Sequence, residues 1–339
     1  MKVEKYAFEV AMKRLCCCLL TLCLLLGGCS RFRAPVSEDF FAMDTLMSVR
    51  VWGAQDDLTA VAQEVNRLDA ALSVTGSGEL AELNRVGTAQ LSDETAALLR
   101  RCAELSRKTG GCFDPTVYAL VRAWGFTTDT QRVPTDAELR AALETVGMDR
   151  LTLCGDTATL DTGTMLDLGA AAKGYAAQRC AELLAARGVS AALLQLGGNV
   201  QTLGSKPDGS DWAIGIADPD EPTQALGLLH VRGSKAVVTS GGYQRYFERD
   251  GVRYHHILDP KTGRPAQTGL ASVTVLADDG LLADCYSTAL FVMGLEQACA
   301  FWRQEQSFEA VFVLESGEIY ATRGAADILS GCDFQVIEP

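Results

Sequence analysis

The chain has 339 residues, 48% hydrophobic and 22% charged, enough to bury the core of one large domain or two small ones. Its formal net charge of −13 excludes the basic face that nucleic-acid binding requires, and with it broad electrostatic adhesion to anionic lipid.

Near the start, Lys13 and Arg14 precede an apolar run, Leu15–Leu26, that carries Cys16, Cys17, Cys18 and Cys23. A spanning helix needs roughly 20 apolar residues, and this run has about a dozen, the length of a signal-peptide core. It ends in Leu26-Gly27-Gly28-Cys29, which resembles the bacterial lipobox. The expectation is a signal peptide over 1–28, with Met12 as an alternative start, a diacylated Cys29, and a polar tether over 29–38. Such a lipid anchor places the protein on the extracytoplasmic face of the bacterial cell membrane; a secreted protein with a chance cysteine is the alternative. Beyond the leader, Cys102, Cys112, Cys154, Cys180, Cys285, Cys299 and Cys332 show no CxxC spacing and are odd in number. That argues against a zinc or iron–sulfur site and against a disulfide framework, and for mostly small buried side chains, with one or two bridges as the alternative that an extracytoplasmic location leaves open.

Residues 39–339 carry no internal repeat and no long linker, so they read as one catalytic unit. Met47–Trp52 is a strand, and Asp57–Leu72 has Leu58, Val61, Val65, Leu68 and Leu72 at helical spacing. Asp93–Lys108 is a second helix, stopped by Gly110-Gly111. Thr135–Val146 is a third, with Thr135 as N-cap and Glu138 as its capping-box partner. Leu151–Leu153 and Ala158–Asp161 form a hairpin, and Ala172–Arg187 is a helix stopped by Gly188. Leu193–Leu196, Trp212–Ile216, Gly227–Val231, Ala236–Thr239 and Ser272–Leu276 are strands. A long helix, Leu281–Gln304, and a hairpin of Phe308–Leu314 with Ile319–Thr322 close the chain. Helices and strands mix without a βαβ rhythm, which favours α+β.

Polar and glycine residues gather in four places between the apolar runs. Gly110-Gly111-Cys112-Phe113-Asp114-Pro115-Thr116, with Trp124-Gly125-Phe126 after it, is a backbone-exposing turn with a capping aspartate. Leu166-Asp167-Leu168-Gly169-Ala170-Ala171-Ala172-Lys173-Gly174-Tyr175 joins a strand to a helix through small residues. Such a helix start offers free N–H groups and a positive dipole end to a phosphate, and Lys173 adds a cation; a packing helix with a solvated lysine is the plainer reading. Leu196-Gly197-Gly198-Asn199 is another close-approach turn. Thr239-Ser240-Gly241-Gly242-Tyr243 is followed by His255-His256-Ile257-Leu258-Asp259-Pro260-Lys261-Thr262-Gly263, where two of only three histidines sit. Histidine is the side chain suited to move a proton near neutral pH. In Ala283-Asp284-Cys285-Tyr286-Ser287-Thr288, Asp284 and Thr288 lie one helical turn apart and supply two hard oxygens, which suits magnesium; a dipole-favoured aspartate at a helix start is the alternative.

This ordered set is similar to the ApbE family of FAD:protein FMN transferases, from Met43 to about Gly294. The markers are Met43-x-Thr45-x-Met47-Ser48-Val49, Phe113-Asp114-Pro115-Thr116 with Trp124-Gly125-Phe126, and Asp167-Leu168-Gly169 with Ala172-Lys173-Gly174-Tyr175. Leu196-Gly197-Gly198, Thr239-Ser240-Gly241, His256-Ile257-Leu258-Asp259-Pro260-x-Thr262-Gly263 and Ala283-Asp284-x-x-x-Thr288 complete it. The resemblance implies an ApbE-like, T-fold-related α+β fold of mixed sheets packed with helices. It implies that FAD is cleaved with Mg²⁺ and that FMN passes to a threonine or serine of a flavoprotein acceptor, a redox-complex subunit or FMN-binding domain, releasing AMP. Carried over residue by residue, it implies FAD contacts at Met43, Cys112, Phe113, Asp114, Asp167, Lys173 and Ile257. It places Mg²⁺ on the Ala170 carbonyl, the Asp284 carboxylate and the Thr288 hydroxyl, and makes His256 the base.

The chain departs from the family at Met43-Asp44-Thr45, where Met-Gly-Thr is usual, and at Gln178, where an aspartate is usual. Leu72–Leu80 lacks the aromatic residue that can stack on the flavin. An FAD pyrophosphatase, a flavin-binding lipoprotein without turnover and a structural lipoprotein are the competing readings. Pure binding needs neither a metal clamp nor a base.

Overall fold

In the computed structural model, which describes residues 34–128 and 130–339, strand β1 (Val36–Ala42) pairs antiparallel with β2 (Thr45–Val51), and Ala42 faces Thr45 across the turn. The two connecting residues, Met43 and Asp44, both have positive φ, 47° and 58°. Two left-handed residues form the tight hairpin turn whose twist matches the flanking strands, and aspartate tolerates that region better than most side chains. Residues 36–38 of the expected tether therefore belong to β1, a correction: their alternation of half-buried and exposed positions is that of a sheet edge. The leader and Cys29 lie outside the described residues. Among the described residues no helix is long and apolar enough to cross a membrane.

Helices α1 (Gln55–Leu72), α2 (Glu79–Val86) and α3 (Asp93–Lys108) follow, with β3 (Thr88–Gln90) between the last two. After α4 (Tyr118–Trp124) and α5 (Asp136–Leu143), β4 (Leu151–Cys154) and β5 (Thr157–Leu160) form a hairpin that β3 joins. Next come α6 (Ala172–Ala186), β6 (Ala192–Leu196), β7 (Asn199–Leu203), β8 (Trp212–Ala217) and β9 (Ala225–Val231). Then come β10 (Ala236–Gly241), β11 (Tyr246–Arg249), β12 (Val252–His255) and β13 (Leu270–Ala277). The chain ends with α7 (Gly280–Glu305), β14 (Glu309–Leu314), β15 (Ile319–Thr322), α8 (Arg323–Ala326), β16 (Leu329–Ser330) and β17 (Gln335–Ile337). This is the expected α+β class.

Nine strands make the central sheet, in the order β1-β2-β6-β7-β10-β13-β14-β15-β17. Period-2 alternation gives it two apolar faces. Val238, Ala310 and Phe312 join the core beneath α1, α3, α6 and α7, while Val237, Val311 and Val313 face Trp212, Ile214 and Leu229 of the small β16-β9-β8 sheet. A third cluster, Leu120, Trp124, Phe126, Leu139 and Leu258 with Phe247 and Tyr254, clamps α4, α5 and the β11–β12 hairpin together. That hairpin was not expected: exposed charge along Glu248–Arg253 hides its alternation.

The capping box of α5 is present, Thr135 N donating to Glu138 and Glu138 N to the Thr135 hydroxyl, but the helix ends at Leu143 and not at Val146. The expected helix Leu281–Gln304 is broken at Gly294, which has φ 76° and ψ 167°. There the Thr268 hydroxyl donates to the Phe291 carbonyl at 2.9 Å, an insertion into the helical ladder that kinks it. Cys102, Cys112, Cys180, Cys285 and Cys299 are buried, as anticipated, while Cys154 is exposed.

Candidate functional site

The site is assembled around a close crossing of α6 and α7. A Cβ on Gly174 would lie 2.2 Å from the Gly280 carbonyl and 2.6 Å from the Asp284 Cβ, so only glycine lets the two helix starts approach this far. Gln178, one turn along α6, accepts from Gly280 N at 2.8 Å and so has a capping job that its amide performs without charge. Asp284 is 4% exposed, and its Oδ2 accepts from Gly174 N at 2.7 Å and from Asn199 Nδ2 at 2.9 Å. The carboxylate thus sits on the positive end of α6. Both donors meet Oδ2, and among the described residues none meets Oδ1. The Thr288 hydroxyl, one turn along, is 3.1 Å from that of Ser240 on β10.

The loop before α6 is held from below. Asn84 accepts from Leu166 N at 2.7 Å and donates to Leu166 O at 2.8 Å, while Asp167 N donates to the Pro115 carbonyl at 2.7 Å. This last bond joins the Gly110–Thr116 turn to the Asp167 loop. Asp167 Oδ1 accepts from Gly169 N at 2.7 Å, and Lys173 Nζ donates to the Gly169 carbonyl at 3.0 Å. The N-cap residue of α6 supplies no side-chain bond, but Ala172 N donates to the Leu168 carbonyl and Gly174 N to Asp284 Oδ2, so among the first-turn amides Lys173 N is the one left for a ligand.

His256 follows β12. Its Nδ1 meets the Arg245 carbonyl at 3.0 Å. A carbonyl only accepts, so Nδ1 carries the proton and Nε2 keeps its lone pair, the arrangement of a base. Burial pushes the His256 pKa down to about 3, and the nearby cations Arg245 and Lys173 act in the same direction.

The residues that the resemblance assigns to FAD, the metal and the base come together. Met43, Cys112, Phe113, Asp114, Asp167, Ala170, Lys173, His256, Ile257, Asp284 and Thr288 line one cavity of about 740 Å³. Small-molecule sites typically occupy roughly 300–1,000 Å³. Its lining combines apolar residues, Met43, Leu72, Val74, Phe126 and Ile257, with polar ones, Asp167, Lys173, Ser240, Arg245, His256 and Asp284. Burial raises the pKa of Asp114, Asp167 and Asp284 above the ordinary carboxylate range. Asp114 spends one oxygen on Thr116, accepting from its N at 2.8 Å and its hydroxyl at 2.6 Å. Asp167 and Asp284 feel Lys173 as an opposing charge.

Among the described residues no group of three His, Cys, Asp or Glu side chains could hold a metal. The oxygen set does fit one hard divalent cation. It offers a buried carboxylate with an open Oδ1, a hydroxyl one turn away and the Ala170 carbonyl in the same cavity.

Asn84, Asn199, Tyr243 and Arg245 were not among the sequence candidates. Asn199 and Tyr243 stood inside quoted glycine turns, but Asn84 and Arg245 lie in elements that the sequence pattern did not reveal, α2 and the start of the β11–β12 hairpin.

The chain matches the family model described as "ApbE family" over residues 43–312. A FAD:protein FMN transferase of Treponema pallidum is 35% identical over 327 residues, spanning 89% of this chain and 90% of its own. Another of Klebsiella pneumoniae is 41% identical over 226 residues, 65% of this chain and 69% of its own. The crystal structure of the ApbE protein from Thermotoga maritima superposes with a TM-score of 0.82 at 31% identity, covering 87% of this chain and 99% of its own. The apo flavinyl transferase ApbE of Pseudomonas stutzeri gives 0.77 at 31%, covering 88% and 98%.

Proposed function

The chain belongs to the ApbE family, and on that premise we propose that it is a Mg²⁺-dependent FAD:protein FMN transferase. One observation carries the reading: Asp284 and Thr288 of α7, the Asp167–Lys173 loop and His256 face one cavity although they are far apart in the chain. Phosphoryl transfer asks for positioning and for neutralised charge on the moving group, and these polar groups offer both.

Met43, Cys112, Phe113, Asp114, Asp167, Lys173 and Ile257 bind FAD, the apolar side chains taking the isoalloxazine. Phe113, Phe126 and Tyr243 line the cavity and stand in for the missing aromatic of Leu72–Leu80. The Lys173 backbone N–H, at the positive end of α6, and the Lys173 ammonium hold the diphosphate. Ala170, Asp284 and Thr288 hold Mg²⁺, which when bound supplies Lewis-acid neutralisation of the phosphate oxygens. His256 Nε2 takes the proton of an acceptor threonine or serine hydroxyl as that oxygen bonds to the FMN-side phosphorus. The bond from that phosphorus to the bridging oxygen breaks, and AMP leaves with the electron pair. The acceptor is a flavoprotein, a redox-complex subunit or FMN-binding domain. Cys29 carries the lipid that holds the enzyme on the extracytoplasmic face of the membrane.

Incubation with FAD, Mg²⁺ and a flavin-acceptor domain, followed by mass spectrometry, tests the reading. A gain of one FMN on the acceptor is expected. Free FMN and AMP with an unmodified acceptor would make the protein a pyrophosphatase.

A further inference from the structure

We propose that Arg245 is a further catalytic residue, its guanidinium binding the phosphoryl group that is transferred; this rests on the transferase reading above. Arg245 is exposed and lines the cavity just before β11. Among the described residues its side chain makes no ion pair, which is also true of Arg50, Arg107, Arg122, Arg140 and Arg303, but of these only Arg245 lines the cavity; Arg67, Arg101 and Arg132 are engaged by Glu64 and Glu94, Glu104, and Glu138. A guanidinium left without a carboxylate at the wall of a polar cavity is matched to an anion from outside the protein.

Its place relative to His256 decides which anion. The Arg245 carbonyl accepts from both His256 N, at 3.1 Å, and His256 Nδ1, at 3.0 Å. Main chain and base are therefore locked together, and the Arg245 side chain starts from the point that orients the imidazole. The attacking hydroxyl must lie within hydrogen-bond reach of Nε2 and about 3–3.5 Å from the phosphorus it attacks. The phosphoryl beside His256 is then the FMN-side one, and Arg245 is the cation rooted next to it. Lys173 is rooted on α6 among the cation-ligand candidates, its Nζ already donating to Gly169 O at 3.0 Å. The two cations divide the diphosphate: Lys173 takes the AMP side, and Arg245 takes the FMN side, where its planar fork meets two oxygens.

The test uses the purified full chain with Arg245→Gln and Arg245→Lys. FMN and AMP affinities are measured by flavin fluorescence and by inhibition, beside kcat and KM for FAD. For Arg245→Gln, removal of a charge-assisted contact should weaken FMN binding about tenfold and lower kcat by roughly 10–100-fold, with AMP affinity unchanged. Arg245→Lys should recover part of both, since it keeps the charge and loses the fork. Parental FMN affinity in Arg245→Gln, or equal weakening of FMN and AMP, overturns the assignment. The FMN-binding arm needs no acceptor. Failure of the parent protein to label any acceptor refutes the transferase reading, and the binding arm still decides the role of Arg245.

Discussion

Replacing Gly174 by alanine adds one methyl group at the place where α6 and α7 touch. The new Cβ would lie 2.2 Å from the Gly280 carbonyl oxygen and 2.6 Å from the Asp284 Cβ. Ordinary contact begins near 3.5 Å, so one helix must retreat by roughly 1 Å. Both neighbours are backbone or rooted side chain, with no flexible tip to swing aside. Overpacking of this kind costs about 1–3 kcal/mol. The same movement stretches the 2.7 Å bond from Gly174 N to Asp284 Oδ2, and a hydrogen bond to a buried charged group contributes about 1.5–3 kcal/mol. Together the expected loss is about 2.5–6 kcal/mol, read as a lower urea midpoint. A misplacement of roughly 1 Å in a catalytic constellation can cost about 100-fold in turnover, so kcat should fall by that order in the fraction that remains folded. Gly188→Ala is the control, because that glycine has φ +84° and nothing within 4 Å of its added Cβ. It should lose only the backbone-strain part, about 1 kcal/mol, with turnover intact. A Gly174→Ala protein with parental stability and kcat within about twofold would refute the claim that helix contact sets the Asp284 geometry.

Four other outcomes are expected. Asp284→Ala should lose metal-dependent turnover while still folding, and normal turnover at low magnesium would sink the cation assignment. His256→Gln should retain FAD yet fail to label the acceptor; lost FAD binding with transfer otherwise intact would contradict the base role. The same variant carries a pH signature. The folded His256 pKa is depressed to about 3 from an ordinary 6.5, so the unfolded chain binds the extra proton first. The ligand-free parent should therefore lose stability, relative to His256→Gln, as pH falls from 6.5 towards 3, and show no such difference above 7. Equal pH dependence of the two unfolding midpoints would mean the imidazole is not held neutral. Asp44→Val, which puts a β-branched side chain at φ 58° in the β1–β2 turn, should cost about 1–2 kcal/mol in thermal unfolding. An unchanged melting temperature would mean the turn relaxes out of the left-handed region.

Local pattern was enough for much of this molecule. The 3.6-residue spacing of Leu58, Val61, Val65, Leu68 and Leu72 specified α1 and its buried face, and Thr135 with Glu138 specified the start of α5. The motifs around Phe113, Asp167, Ser240, His256 and Asp284 all reach the cavity, because ligand chemistry needs unusual residue types where the chain passes it, whereas Asp69, Pro222, Gln244 and Arg245 line it from segments without such a mark. Short elements escaped. The α2 helix has eight residues and β7 five, too few for a period to emerge. The kink at Gly294 needed Thr268, which is remote in sequence, to take up the Phe291 carbonyl.

What only tertiary structure decided is convergence and protonation. Nothing local to Asp284 shows that Gly174 and Asn199 will occupy its Oδ2, or that Oδ1 stays open. Nothing local to His256 shows that the Arg245 carbonyl fixes its tautomer. Burial and hydrogen-bond partners belong to three-dimensional neighbours, so a one-dimensional pattern names the groups, and packing sets the charge and direction each one carries.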